Sequence, residues 1–242
     1  MSSQIVAELA PHGMLRAGIN MSNFLLVTGR TPDGDPDGVS PDMARAIAER
    51  LGVPVKLVPF PKPGELADAV DGDAWDIGLI GAEPARAEKI AFTAAYCEIE
   101  ATYLVPAGSP ITAIGEVDRA GHRIVVTARS AYDLWLERNI QHAQLIRVEN
   151  QAAAMERLVN DRLDALAGLR PGLIKDIAKL PGARILDGQF TAVQQAVGTQ
   201  RRNAAGAAFL RDFVEEAKAS GLVGRLIERH KVAGRLSVAP AG

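Results

Sequence analysis

Short hydrophobic runs alternate with amphipathic segments along the first part of this chain. Met14–Asn20 and Ile77–Ile80 are runs of strand length, whereas Met43, Ile47 and Leu51 recur at the four-residue spacing of one helix face. The order of strands and helices predicts a parallel sheet with right-handed crossovers. We therefore expect an α/β unit here.

The same alternation starts again after the Pro- and Gly-rich segment at residues 106–110. Strands are predicted at Arg123–Thr127, Leu145–Val148 and Asp164–Leu169, with helices between them. An extended stretch, Thr191–Gly198, then leads into a strongly amphipathic helix. The pattern predicts a second α/β unit.

Two local signals concern element ends. Ser40 is predicted to cap the helix that follows it, with Pro41 at the first helical position. The tail at residues 237–242 is small and apolar, and we expect it to be loose.

One candidate binding site follows the predicted strand Ile77–Ile80. Gly81, Ala82, Glu83 and Arg86 come directly after it, and small ligands of open α/β sheets bind at the carboxyl ends of strands. The planar guanidinium of arginine matches a carboxylate or a phosphate. The alternative is a surface arginine that pairs with a neighbouring glutamate, and the residues alone leave both interpretations open.

Other predicted strands also end in groups that could contact a ligand. Asn20, Asn23 and Phe24 combine amides with one aromatic ring, which suits a polar solute with a flat part. The same groups could equally form a loop that satisfies its own backbone. Arg170 likewise lies at a strand's carboxyl end.

The turn after Arg123–Thr127 offers a second candidate anion site. Ser130 can cap the next helix, whose first residues Ala131 and Tyr132 would present unpaired N–H groups, with Arg129 adjacent. An ordinary strand-to-helix turn with an exposed arginine explains the same residues.

No metal or cofactor is expected. Asp33, Asp35 and Asp37 imitate the start of a calcium loop, but Ala44 stands where the bidentate glutamate is needed. Cys97 is the single cysteine, and no cysteine and histidine cluster has zinc-ligand spacing. We expect Cys97 to be a packed, inert thiol.

Composition does not identify the partners, which have to be inferred from a site. The 242 residues allow one large or two modest domains, and a formal net charge of −2 gives no general attraction to nucleic acid or to an anionic membrane. No apolar stretch approaches the roughly 20 residues of a membrane span, so no membrane insertion is expected. We also expect a monomer.

The first residues lack a basic region, an apolar core and a small-residue cleavage site. The chain as written is therefore expected in the cytoplasm. A chain whose secretory signal had been removed would look the same.

From Leu15 to about His230, the order and spacing of several segments resemble the family 3 bacterial solute-binding proteins. The segments that carry the resemblance are GVSPDMARAIAERLGV, WDIGLI followed by Arg86 and KIAFTAAY, RIVVTARSAYD, DRLDALAGL, VQQAVG and ASGLVGRLIERH. The best-known members bind polar amino acids in the periplasm for ABC transporters.

The resemblance implies a two-lobed type II periplasmic-binding-protein fold. Each lobe would be a mostly parallel sheet flanked by helices, with lobe 1 at residues 1–102 and 196–242 and lobe 2 at residues 103–195, joined by two crossover strands. It also implies a carboxylate-bearing ligand in the interlobe cleft, hinge closure, an ABC transporter permease as partner and a periplasmic location.

Site residues are implied by the same resemblance. Arg86 matches the arginine that grips the ligand's carboxylate, and Ser130 matches the hydroxyl residue of the second lobe's anion turn. Gln194 falls in the returning hinge segment. Asn20 and Asn23 fall where members place polar or aromatic side chains around the ligand.

Three departures from the family pattern affect the expected ligand. Glu83 stands where members usually have Thr or Ser, and it would repel a carboxylate unless it turned away. Leu169 stands where an acidic residue normally receives the ligand's ammonium, which favours an acid without an α-amino group unless Glu83 substitutes. Arg129 replaces a commonly small residue and could hold a second acidic group.

An enzyme is the alternative function, although we expect none. Cyclohexadienyl dehydratases share this fold and add a general acid to the carboxylate pocket, a role that Glu83 could take. None of the four histidines lies at a predicted strand's carboxyl end, and no arrangement of nucleophile and base is evident. A ligand sensor on the same fold is a further alternative.

Overall fold

The computed structural model describes residues 2–242. The chain divides into two compact units, unit 1 (Met1–Glu98 and Gln194–Gly242) and unit 2 (Ile99–Val193). Each is a mixed α/β structure, which confirms the predicted fold class. Two long strands, Ile90–Val105 and Thr191–Gln200, carry the chain from unit 1 to unit 2 and back.

Twelve strands are present in the described chain. They are β1 (Leu15–Asn20), β2 (Gly29–Arg30), β3 (Pro36–Asp37), β4 (Val55–Phe60), β5 (Ile77–Gly81), β6 (Ile90–Val105), β7 (Arg123–Thr127), β8 (Gln144–Val148), β9 (Ala165–Leu169), β10 (Arg184–Ile185), β11 (Thr191–Gln200) and β12 (Ser237–Val238).

Nine α-helices connect and cover the strands of residues 2–242. They are α1 (Ser3–Leu9), α2 (Val39–Leu51), α3 (Pro63–Asp68), α4 (Pro84–Ala87), α5 (Ala131–Asn139), α6 (Gln151–Asn160), α7 (Arg170–Asp176), α8 (Ala204–Ala219) and α9 (Leu222–Arg229). None of them has both the length and the apolar surface to cross a membrane.

In unit 1 the strand order is β4, β1, β5, β11. β1 runs parallel to both β4 and β5, as the sequence predicted, whereas β11 is antiparallel to β5. One core cluster of this unit packs around Trp75, whose indole N–H donates to the Leu66 carbonyl at 2.9 Å. The parallel register places the carboxyl ends of β1, β4 and β5 at one edge of the sheet.

In unit 2 the strand order is β6, β9, β7, β8. β7 is parallel to β8 and β9, and β6 is antiparallel to β9. Phe190 packs in the main core cluster, with its ring 4.6 Å from that of Tyr103 and 5.3 Å from that of Trp135. The carboxyl ends of β7, β8 and β9 therefore also share one edge.

The predicted cap of α2 is wrong. The helix begins at Val39 with Gly38 at the cap position, so Pro41 is the third helical residue. The Ser40 hydroxyl is buried and lies 3.0 Å from the hydroxyl of Tyr96. A long-range partner in the core has replaced the local capping bond that the sequence suggested.

The expected loose tail is also wrong in part. β12 pairs with β6, with Ser237 opposite Glu98 and Val238 opposite Cys97. The Cys97 thiol is fully buried, and burial raises its pKa, so it stays a neutral packed group as predicted.

Gly38, just before α2, has a backbone conformation and a close contact that only glycine is expected to allow. Its φ is 151°, and an added Cβ would lie 2.2 Å from the Leu26 carbonyl oxygen. We expect Gly38→Ala to lower the free energy of unfolding by about 2 to 3 kcal/mol in urea denaturation. Gly34→Ala is the matched control, because Gly34 also has a positive φ but has open space around it, and it should lose only about 1 kcal/mol. Equal losses would mean that the contact with Leu26 is unimportant.

Candidate functional site

The carboxyl end of β5 holds a buried arginine. Arg86 lies in the short helix α4 and is 6% exposed, and its Nη1 donates to the Gly81 carbonyl at 2.7 Å. The next residue, Ala82, donates its N–H to the Gln194 carbonyl at 2.7 Å. Arg86 is therefore not the exposed surface arginine that the sequence left as an alternative.

Glu83 occupies the cap position of α4 in an extended conformation, and its side chain makes no capping hydrogen bond. Its carbonyl accepts the N–H of Ala87 at 2.9 Å. Pro84 follows at the start of the helix, where its missing N–H leaves no hydrogen bond unmade. Thus Gly81, Ala82, Glu83 and Arg86 are consecutive parts of one strand-to-helix turn.

In the segment after β1, the asparagine side-chain oxygens accept hydrogen bonds from neighbouring residues of the same loop. The Asn20 Oδ1 accepts both the backbone N–H of Ser22, at 3.2 Å, and its hydroxyl, at 2.8 Å. The Asn23 Oδ1 accepts the N–H of Leu25 at 3.2 Å, and Asn23 is buried. Phe24 is 41% exposed, which is high for its type. The structure therefore shows the self-satisfied loop that the sequence left as an alternative, with one exposed ring beside it.

The turn after β7 in unit 2 is held by Asp133. The Ser130 hydroxyl donates to the Thr127 carbonyl at 2.9 Å and accepts the Asp133 N–H at 3.1 Å, so Ser130 is the predicted cap of α5. The Asp133 carboxylate accepts the Arg129 N–H at 2.7 Å and the Nε of Arg147 at 2.9 Å. Asp133 is 2% exposed. The two side chains thus form reciprocal hydrogen bonds at the start of α5, as in a capping box. The Ser-x-x-Asp spacing signals this arrangement, but the sequence analysis did not predict it.

Arg129 has a φ of 59°, the left-handed region that side chains avoid. Glycine is the residue that adopts this conformation without strain. Ala131 and Tyr132 are both buried in the core cluster of unit 2, where burial raises the pKa of the Tyr132 phenol. They support the turn from within the core.

Arg170, at the start of α7, is engaged inside unit 2. Its Nε donates to the Glu100 carboxylate at 2.7 Å, and its Nη2 donates to the carbonyls of Leu186 and Gly188. Leu169, at the cap position of that helix, pairs with Ala101 of β6 and is partly buried. At this strand end the structure thus shows an arginine and a glutamate that neutralise each other.

Two further features of the described chain lie away from these strand ends. In unit 1, Asp37, Asp42 and His230 bring three potential metal-ligand atoms within 4.8 Å of one another. Asp42 already pairs with His230 at 2.8 Å, Arg45 at 2.8 Å and Arg229 at 3.3 Å. The two arginines already supply positive charge beside the Asp42 carboxylate.

In unit 2, a concavity of about 480 Å³ lies between the loop after β6 and the turn that precedes β9. That turn is at the amino end of β9, on the other edge of the sheet from Ser130. Its lining is mostly apolar and includes Pro106, Leu158 and Val159.

Family comparison decides what kind of protein carries these sites. The model for bacterial extracellular solute-binding proteins, family 3, matches residues 15–232. The chain belongs to this family. It is therefore a solute-binding protein, and no curated protein sequence matches it closely enough to narrow its ligand.

Three solved structures of similar fold, each distant in sequence, can be compared with this chain. A mutant of ArgBP from T. maritima has 20% identity, a TM-score of 0.73, and covers 94% of this chain and 99% of its own. A putative binding component of an ABC transporter from Wolinella succinogenes, complexed with lysine, has 20% identity, a TM-score of 0.73 and coverages of 90% and 95%.

A third similar structure is an ancestral amino acid-binding protein described as a precursor of cyclohexadienyl dehydratase. It has 21% identity, a TM-score of 0.72 and coverages of 93% and 98%. At these identities the three structures establish the type II periplasmic-binding-protein fold of the family member.

The strained backbone at Arg129 gives a stability prediction. Arg129→Gly and Arg129→Ala both remove the guanidinium, but only glycine adopts a φ of 59° without strain. We expect the glycine variant to have the higher free energy of unfolding, by about 1 kcal/mol, in urea denaturation. Equal stability of the two variants would contradict a left-handed Arg129.

Proposed function

We propose that this family member binds a small carboxylate-bearing solute, an amino acid or a related organic acid, as the solute-binding component of an ABC-type transport system. The observation that carries the proposal is the buried Arg86 at the carboxyl end of β5. Family membership and the similar binding proteins of ABC transporters support the transport role.

The contact with Gly81 suits Arg86 to this task. A side chain held at 2.7 Å by a strand-end carbonyl is already ordered, so it loses little conformational entropy when an anion arrives. A guanidinium has five donors, and it can keep this bond while it binds a carboxylate in the bidentate geometry. Lysine offers a point charge and cannot do both in the same way.

Unit 2 would supply weaker, shorter-range contacts through the turn at Ser130. The hydroxyl of Ser130 is committed to the Thr127 carbonyl, so the start of α5 would meet an anion mainly with its backbone N–H groups. The proposal includes two points taken from the family. One ligand would contact both units, and a hinge motion near Tyr103 and Gln194 would close a cleft around it. A permease would be the partner of the closed form.

The ligand class is tested by thermal shift. The purified protein is screened against amino acids, dicarboxylates, keto acids and aromatic carboxylates. A ligand present at about 100 times its dissociation constant adds roughly 2.7 kcal/mol to the free energy of unfolding. We expect at least one carboxylate to raise the melting temperature by several degrees. A panel without any shift would count against a solute-binding role for acids.

Arg86→Lys tests the residue that carries the proposal. We expect the affinity for the bound carboxylate, measured by isothermal titration calorimetry, to fall roughly 10- to 100-fold, because a hydrogen bond between charged groups is lost. Lys89→Ala is the control, since Lys89 is exposed, lies one turn further on and pairs with Asp71. Unchanged affinity in Arg86→Lys would overturn the assignment.

If the protein were a dehydratase, Glu83 would act as its general acid. A dehydratase would release water and carbon dioxide from a cyclohexadienyl acid such as arogenate, and Glu83→Gln would abolish the turnover. The similar ancestral protein is itself described as amino acid-binding, and it supports binding as the first interpretation. We therefore expect arogenate to remain intact when it is incubated with the protein.

A further inference from the structure

Gln195 has a buried side-chain oxygen that the protein does not use. The residue is 3% exposed, and its Oε1 has no hydrogen-bond partner among residues 2–242. Nearly all buried polar side-chain atoms in native proteins have a partner, because an unpaired one carries a desolvation penalty. Such an oxygen is available to accept a hydrogen bond from a ligand or from a buried water.

The position of Gln195 connects it with the candidate site. In the antiparallel pair of β11 and β5, Gln195 stands directly opposite Gly81. The carbonyl of Gly81 accepts the 2.7 Å hydrogen bond from Arg86. Gly81 therefore contacts the buried guanidinium through its carbonyl and pairs with the strand residue whose side-chain oxygen is unpaired.

The last two residues of β11 have polar side chains that form hydrogen bonds within the protein. The Thr199 hydroxyl donates to the Asp76 carbonyl at 2.8 Å, and the Gln200 Nε2 donates to the Val70 carbonyl at 2.6 Å. The polar side chains at this end are therefore satisfied by the protein. Gln195 lies in the middle of β11, at the residue that pairs with the carboxyl end of β5.

We propose that the Gln195 side-chain carbonyl accepts a hydrogen bond from an N–H or O–H group of the carboxylate that Arg86 binds. The inference rests on the proposed function and narrows its ligand class. Because a carbonyl oxygen can only accept a hydrogen bond, it should increase the affinity for acids that carry an amino or hydroxyl group near the carboxylate. Acids without such a donor would leave Gln195 unpaired and bind more weakly.

Matched acids test the ligand class by calorimetric titration of the wild-type protein. The three sets are glutamate, 2-hydroxyglutarate and glutarate; lysine and 6-aminohexanoate; and phenylalanine, phenyllactate and 3-phenylpropanoate. In the set that binds, we expect the acid with a donor on the carbon next to the carboxylate to bind about tenfold more tightly than the acid without one. Equal affinities within that set would overturn the inference.

Gln195→Met tests the residue, because methionine is similar in size and has no strong acceptor. We expect the donor-bearing acid to lose about tenfold in affinity while the donor-free acid is unchanged, so the discrimination disappears. The melting temperature of the unliganded variant should be equal to or higher than that of the wild type, since an unpaired buried oxygen has been removed.

Gln200→Met is the matched control on the same strand. It removes the hydrogen bond to Val70, so it should lower the melting temperature and leave the affinity ratio of the two acids unchanged. If Gln195→Met lowers the melting temperature in the same way, Gln195 has a structural partner such as a buried water, and the inference is wrong.

Different results would contradict the proposed function and the role of Gln195. If no set binds to the wild type, or if Arg86→Lys leaves affinity unchanged, the proposed function itself fails. If Arg86→Lys weakens binding but Gln195→Met does not, only the inference about Gln195 fails.

Discussion

A bond between an aspartate and a neighbouring strand fixes the register of the parallel strands in both units. Asp76, just before β5, accepts the backbone N–H of Arg16 in β1 at 2.8 Å, and it also holds the Arg16 guanidinium. In unit 2, Asp164, just before β9, accepts the backbone N–H of Arg123 in β7 at 2.7 Å. Since a slip of one residue would turn every side chain to the other face, these bonds determine where each strand ends.

The candidate site depends on that register. With β1 and β5 aligned from Asp76 onward, Ile19 lies opposite Leu79, and the two strands finish at the same edge. β11 then pairs with the other side of β5, which brings Gln195 opposite Gly81. A guanidinium in the following turn can reach the Gly81 carbonyl only because the strand stops there. The binding chemistry is thus a consequence of how three strands are aligned, and not of one local motif.

Local patterns predicted the strands and helices, whereas contacts between distant residues decided the details. Ile77–Ile80 was predicted from its apolar run, and β5 adds only Gly81. Ser40 was assigned the wrong role because its partner, Tyr96, lies on a distant strand. Periodicity could not reveal the unpaired amide of Gln195 or the cluster of Asp37, Asp42 and His230, which arise from pairing across the fold. The lobe boundaries and the ligand contacts stay predictions.

The two units differ in the contacts that hold their strand-end arginines. In unit 2, Arg170 is neutralised by Glu100 and held by two carbonyls, while Arg129 sits on a strained backbone that Asp133 clamps. In unit 1, Arg86 is buried at a strand end, where its Nη1 donates to the Gly81 carbonyl. A preordered cation gains most from an incoming carboxylate. The ordered guanidinium at the end of β5 is therefore the feature of unit 1 on which the proposed carboxylate binding rests.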